Sequence, residues 1–255
     1  MVGVRTIGRI LLVICAGGFA YLAYIFLTMP DVRTLRTTNP ATTAFIEIRA
    51  AQARARGEKP RRAQTWVPYG RISPDLTRAV LVAEDSAFWQ HEGIDFAEIR
   101  ESLEVNLKQG TFARGASTIT QQLAKNLYLS PSKNPFRKLR ELLIARRLEA
   151  ELSKRRILEI YLNVIEWGDG IYGAEAAARA YFKKPAASLT AEEAALMAGS
   201  IFNPRVLNPG RPSPGLIRRQ RLILQRMRIE APAPVDPGGP SGASAPPQPY
   251  GRPPG

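Results

Sequence analysis

From Ile10 through Pro30 the chain carries no charged residue. Wound as a helix, this run would reach about 32 Å, against a bilayer hydrocarbon core of ~30 Å. Tyr21, Tyr24 and Phe26 crowd its downstream half, where an aromatic belt would lie. Arg5 and Arg9 precede the run and favour a cytoplasmic N-terminus over residues 1–9. Arg33 and Arg36 follow closely and weaken that bias, but a large following domain translocates largely regardless of charge. Two other readings exist: a signal-peptidase site at Gly18-Phe19-Ala20, and lipidation of Cys15. Apolar sequence continuing to Leu27 argues against the first, and the bulk of Ile14 against the second. The expectation is one N-terminal transmembrane helix over 10–30, with the rest of the chain outside the cytoplasm.

The remaining sequence holds one sizeable domain and its extensions within 255 residues. A net charge of +14 suits nucleic acid, anionic lipid or a phosphorylated substrate. One cysteine rules out an internal disulfide, and with one histidine it argues against a structural zinc site. Residues 31–65 form a basic juxtamembrane segment with Arg49, Arg54, Arg56, Lys59, Arg61 and Arg62. A short amphipathic helix begins at Phe45 and ends near Gly57; its cations suit lipid headgroups, a pyrophosphate or plain solvent. Trp66-Val67-Pro68 leads in extended form into the main domain, expected over 66–230. Residues 231–255 hold nine prolines and five glycines and read as a disordered tail.

The domain turns on Val82-Ala83-Glu84-Asp85-Ser86-Ala87-Phe88-Trp89-Gln90-His91-Glu92-Gly93-Ile94-Asp95, which carries the only histidine. Ser73-Pro74-Asp75-Leu76 starts a helix, and the apolar spacing of Leu76, Val80 and Val82 places Glu84 near its C-terminal end. A carboxylate there faces the negative end of the helix dipole, so it needs a cation or a raised pKa. That suits an acid or base working near neutrality. Downstream, Phe96–Gln109 reads as a helix ended by Gly110. Ser117 or Thr118 caps the next helix, whose N-terminus would face an anion or a sugar hydroxyl. Lys133 to Arg156 holds nine basic and three acidic residues on a helical face pattern. Ser153 caps Lys154–Asn163, Gly168–Gly173 turns, Ala174–Phe182 is alanine-rich, Thr190–Glu193 is a capping box, and Leu216–Ile229 is a last basic helix.

Five ordered blocks within residues 66–210 resemble the peptidoglycan glycosyltransferase family, the lysozyme-like domain also found in class A penicillin-binding proteins. They are Glu84 to Asp95, Gly115-Ala116-Ser117-Thr118-Ile119-Thr120-Gln121-Gln122, Arg137-Lys138-Leu139-Arg140-Glu141, Ile157-Leu158-Glu159-Ile160-Tyr161-Leu162-Asn163, and Gly170 to Ala177. The resemblance, nearest to the monofunctional biosynthetic form, implies a mostly α, lysozyme-like glycosyltransferase domain on the transmembrane helix. It implies polymerisation of lipid II into β-1,4-linked glycan with inversion and release of undecaprenyl pyrophosphate.

In that scheme Glu84 is the general base on the acceptor hydroxyl, and Glu141 positions the donor pyrophosphate or a divalent ion. Lys125, Lys133, Arg137 and Lys138 neutralise the leaving group, and Ser117, Thr118 and Gln122 orient sugar or phosphate oxygens. Asp85, Phe88 and His91 hold the Glu84 loop. No tightly bound cofactor is implied, beyond a divalent Mg or Mn that would accompany the pyrophosphate with Glu141 as candidate ligand. Expected partners are lipid II, the growing glycan strand, membrane lipids, and penicillin-binding transpeptidases or division proteins at the inner membrane, but no nucleic acid. A lytic glycosidase on the same fold would keep the glutamate but does not need a cationic helix. A non-enzymatic basic binder of nucleic acid would interleave aromatics with its cations, which this chain does not. Ser130-Pro131-Ser132-Lys133 fits S-x-x-K, but no K-T-G follows, so no transpeptidase activity is expected.

Overall fold

The computed structural model describes residues 3–109, 116–132 and 134–229. In chain order the elements are α1 (Val4–Leu27), α2 (Ala44–Ala55), β1 (Ala63–Gln64), α3 (Pro74–Glu84), α4 (Phe96–Gln109), α5 (Ile119–Tyr128), α6 (Pro135–Glu151), α7 (Lys154–Val164), β2 (Glu166–Gly168), β3 (Ile171–Tyr172), α8 (Ala174–Phe182), α9 (Ala191–Ser200) and α10 (Pro214–Ile229). The fold is mostly helical, as expected.

Capping side chains set the helix starts. Ser73, Thr118, Ser153 and Thr190 each accept a backbone N–H of the first turn. Asn134 does the same for α6, where Pro135 occupies the first turn. Thr190 and Glu193 form the reciprocal capping box that their spacing suggests. Helices α5 and α7 run through the centre, where Leu123, Ala124, Ile157, Leu158, Ile160, Tyr161 and Leu162 are fully buried. Helix α6 packs on α5, and α3, α9 and α10 pack against one another.

A three-stranded sheet of order β1-β3-β2 closes one side; β1 pairs parallel and β2 antiparallel to β3. These strands are too short to show alternation in sequence. Gly173 follows β3 with φ 81°, and a Cβ there would lie 2.7 Å from the Asn163 carbonyl oxygen. Asn163, fully buried, uses Oδ1 and Nδ2 to hold the Val67 backbone N–H and C=O, both at 2.9 Å. That pair ties the extended 66–68 segment to α7.

Among the described residues no helix is long and apolar enough to cross a membrane. The crossing expected over 10–30 is therefore not borne out; α1 spans Val4–Leu27, and the chain leaves the helix at Thr28, whose carbonyl accepts a hydrogen bond from Arg140 at 2.7 Å. Leu12, Phe19, Phe26 and Leu27 nevertheless stand exposed on α1.

The segment 31–65, expected as a basic juxtamembrane stretch, packs onto the domain. Val32 and Leu35 join the main hydrophobic core, and Ala63-Gln64 forms β1. Two of its cations reach carboxylates of the domain, Arg36 to Glu151 at 2.6 Å and Arg49 to the buried Glu166 at 3.0 Å, while Arg54, Arg56, Lys59, Arg61 and Arg62 stay exposed.

Candidate active site

Helix α3 delivers Glu84 as its last residue. The carboxylate borders a cleft of about 450 Å³ walled by Val82–Ser86, Ala116–Thr118 and one face of α10. Gln122, from the second turn of α5, donates through Nε2 to Glu84 Oε2 at 2.9 Å. The Gln122 Oε1 accepts from the Tyr161 hydroxyl at 2.9 Å. Burial raises the Glu84 pKa above its ordinary 4.5; the Gln122 hydrogen bond opposes this most, followed by the charges of Arg219 and Lys125. Burial likewise pushes the Tyr161 hydroxyl well above 10, so it remains a donor.

The next residue, Asp85, organises the loop. It accepts from His91 Nε2 at 2.9 Å and from the Ile119 backbone N–H, the first of α5, at 2.8 Å. An anion at a helix N-terminus is favourable by hydrogen bonding and by dipole. His91 Nδ1 accepts from the Gly93 N–H at 3.1 Å, which leaves the proton on Nε2, facing Asp85. Gly93 takes φ 83°, and its carbonyl receives Thr118 Oγ1 at 2.7 Å and Gln121 Nε2 at 3.2 Å. Phe88 is fully buried beneath this loop, edge-on to His91, with the Lys154 ammonium 4.4 Å from its ring centre.

Helix α6 forms the second half. Glu141 is 3% exposed; Lys138 Nζ reaches its Oε1 at 2.5 Å, and Arg137 binds its Oε2. Lys138 also donates to Gln121 Oε1 at 2.8 Å and to Ser117 Oγ at 3.3 Å. Neighbouring glutamines of α5 thus reach the two carboxylates: Gln122 binds Glu84 directly, and Gln121 reaches Glu141 through Lys138. Lys125 lies in the same field; burial lowers its pKa from 10.5, with Glu141 the first charge opposing that and Glu84 a weaker one.

Glu84, Asp85, Ser117 and Thr118 line the cleft itself. Glu141, Arg137, Lys138, Lys125 and Gln122 are not among its lining residues but join it through α5 and Ser117. Thr118 turns its hydroxyl inward, as donor to Gly93 and as cap to Gln121, and both ends of the Gln122 amide are engaged within the protein. Lys133 lies outside the described residues, as do Gly110–Gly115 and the 231–255 tail.

Sequence reasoning missed Tyr161 and Gln121 as site members, although both fall in the motif blocks. It also missed the α10 face of Arg219, Leu222, Ile223 and Arg226 that forms the far wall. Their i, i+3, i+4, i+7 spacing was visible, but only the tertiary contact of α10 with α3 turns that face toward Glu84.

Glu141 alone does not make a metal site. Both its oxygens already hold cations, and no group of three or more His, Cys, Asp or Glu among the described residues is placed to hold a metal ion.

A search among known proteins gave concordant results. The sequence profile of the family described as Transglycosylase matches residues 51–228. The biosynthetic peptidoglycan transglycosylase of Nitrosospira multiformis is 46% identical over 223 residues, covering 88% of this chain and 96% of that protein. Its namesake in Dechloromonas aromatica is 50% identical over 189 residues, covering 74% and 82%. That of Laribacter hongkongensis is 49% identical over 193 residues, covering 76% and 85%. Both the profile and these relatives span the helices that carry Glu84, Gln122 and Glu141, and so the chain belongs to the transglycosylase family.

Proposed function

We propose that this chain is a peptidoglycan glycosyltransferase that polymerises lipid II into β-1,4-linked glycan strands. The observation that carries this reading is the Glu84 carboxylate. It is half-buried at the wall of a cleft, has a raised pKa, and is held by a neutral amide, with the Lys125 ammonium in the same field. A general base on a sugar hydroxyl needs a pKa drawn toward neutrality and a fixed orientation.

In the reaction, Glu84 takes the proton of the acceptor sugar's 4-hydroxyl. That oxygen attacks the anomeric carbon of the lipid-linked strand from the face opposite the leaving group, so configuration inverts. The carbon–oxygen bond to the pyrophosphate breaks, and its electron pair leaves with undecaprenyl pyrophosphate. Lys125, Arg137 and Lys138 offset the charge that develops there; Arg137 keeps guanidinium donors beyond those bound to Glu141 and Ser132, whereas Lys138, its three donors taken by Glu141, Gln121 and Ser117, acts through its charge. Glu141 fixes these two cations. Gln122 and Tyr161 orient Glu84, and Asp85 with His91 and Phe88 set the loop that carries it. No step is routed through a metal ion, because the donor set at Glu141 does not fit one.

The lipid of the proposed substrate and the exposed apolar side chains of α1 support a working position at the outer face of the cytoplasmic membrane. Cross-linking of the strands falls to a separate penicillin-binding transpeptidase.

Radiolabelled lipid II incubated with the purified protein should yield glycan polymer, and Glu84→Gln should abolish it with the fold intact. Cleavage of sacculi without polymer would replace this reading with a lytic glycosidase.

A further inference from the structure

Helix α6 presents two rows of side chains at its start. Lys138 reaches Gln121 of α5 and, with Arg137, binds the buried Glu141, whereas Phe136 and Leu139 stand 59% and 38% exposed. The end of α1 is fixed against this outward row. The Tyr21 hydroxyl donates to the Phe136 carbonyl at 3.2 Å, and the two rings meet edge to face with centroids 5.0 Å apart. Tyr24 stacks on Tyr21 at 6.5 Å, and Arg140 clamps the Thr28 carbonyl at 2.7 Å. An aromatic ladder, Tyr24–Tyr21–Phe136, therefore runs from an apolar helix to a residue adjacent in sequence to the cation pair.

We propose that this ladder, continued by Leu139, is the track on which the lipid chain of the substrate lies as its diphosphate meets Arg137 and Lys138. The proposal rests on the reading of the chain as a polymerase of lipid-linked disaccharide. Its occupant follows from the pairing of chemistries. A strip of exposed aromatic surface that ends beside two cations is complementary to an amphiphile with an anionic head and an apolar tail. Adhesion to a bilayer would need only the exposed side chains. It would not need Tyr21 and Arg140 to lock the ladder onto the backbone beside the cations.

The test compares two substrates that differ only in the isoprenoid, one full-length and one of a few units that ends before the ladder. Wild type should show a kcat/KM for the long chain roughly ten- to a hundredfold higher, the gain from covering exposed aromatic surface. The double variant Phe136→Ser/Leu139→Ser should lose most of that difference while its short-chain kcat/KM stays within about twofold, as for other exposed substitutions. Phe136→Leu, which keeps an apolar surface, should retain the difference. Equal loss on both substrates, an unchanged preference in the double variant, or a wild type indifferent to chain length would each overturn the proposal. Loss of flotation with phosphatidylglycerol vesicles, with the chain-length preference intact, would also overturn it by assigning the surface to bilayer adhesion alone. Failure of wild type to polymerise either substrate would instead overturn the underlying reading of function.

Discussion

Gln122→Met tests how the Glu84 carboxylate is tuned. Methionine keeps the length and flexibility of the side chain but removes both hydrogen bonds, Nε2 to Glu84 and Oε1 from Tyr161, each 2.9 Å long. The bond to Glu84 favours its ionised form and works against the burial that raises its pKa above 4.5. Hydrogen bonds to a charged group contribute about 1.5–3 kcal/mol, and 1.4 kcal/mol is a factor of ten. On the acid side of the Glu84 titration, the ionised fraction and with it kcat/KM should therefore fall roughly ten- to a hundredfold. The sign follows from the base being active only when ionised: the acid limb, already above 4.5 in wild type, moves to still higher pH in the variant. On the alkaline side of the limb Glu84 is ionised in both proteins, and the loss should shrink to little. The assay is kcat/KM for lipid II polymerisation across pH. Denaturation should also show the orphaned Tyr161 hydroxyl, fully buried, at a cost of about 1–3 kcal/mol. A loss of equal size at every pH, with the limb unmoved, would refute the reasoning.

Glu84→Gln should remove activity yet raise the melting temperature at neutral pH. A carboxyl with a raised folded pKa loses stability as pH rises through that value, so the difference from wild type should close in acid; differential scanning calorimetry checks both ends. Glu141→Ala strands Arg137 and Lys138 beside each other and should cost up to about 3–5 kcal/mol in chemical denaturation, together with polymerisation. Lys125→Met should abolish an alkaline limb that wild type shows below 10.5, where the depressed ammonium titrates, and should lower kcat at neutrality. Gly173→Ala forces a Cβ to within 2.7 Å of the Asn163 oxygen at φ 81° and should cost about 1–3 kcal/mol or more, read from the urea midpoint, with the pH profile unchanged.

Local chemistry was the legible part of this chain. Ser73, Ser153 and Thr190 announce their helices because a cap is a side-chain bond made within three residues. Glu84 at the end of α3 follows from the apolar spacing before it. What the sequence hid was where side chains point once helices meet. Thr118 and Gln122 read as groups facing the substrate, but their hydrogen bonds close on Gly93, Gln121, Glu84 and Tyr161. The basic residues of 31–65 read as a solvent- or lipid-facing cluster, yet Arg36 and Arg49 bind carboxylates more than a hundred residues away. Residues 10–30 read as one uninterrupted span from their lack of charge, their length as a helix and their downstream aromatics. The bond from Arg140 to Thr28, which draws the end of that stretch onto α6, is tertiary and leaves no mark in composition.

The two glutamates also show why one residue type can hold two posts that do not exchange. Glu84 is approached by a neutral amide, whose own oxygen is held by a phenol. Among the described residues no ion pair is made to it, and burial favours its protonated form, so it can gain and lose a proton within a catalytic cycle. Each oxygen of Glu141 instead binds a full cation. A group so bound cannot act as a base without releasing the cations that the leaving pyrophosphate requires. The consecutive pair Gln121-Gln122 keeps these environments apart yet adjacent, each amide facing a different carboxylate system. Swapping the roles would require α5 to turn by one residue, about 100° on a helix. The Asp85 bond to the Ile119 N–H and the Thr118 bond to Gly93 hold its N-terminus against that rotation.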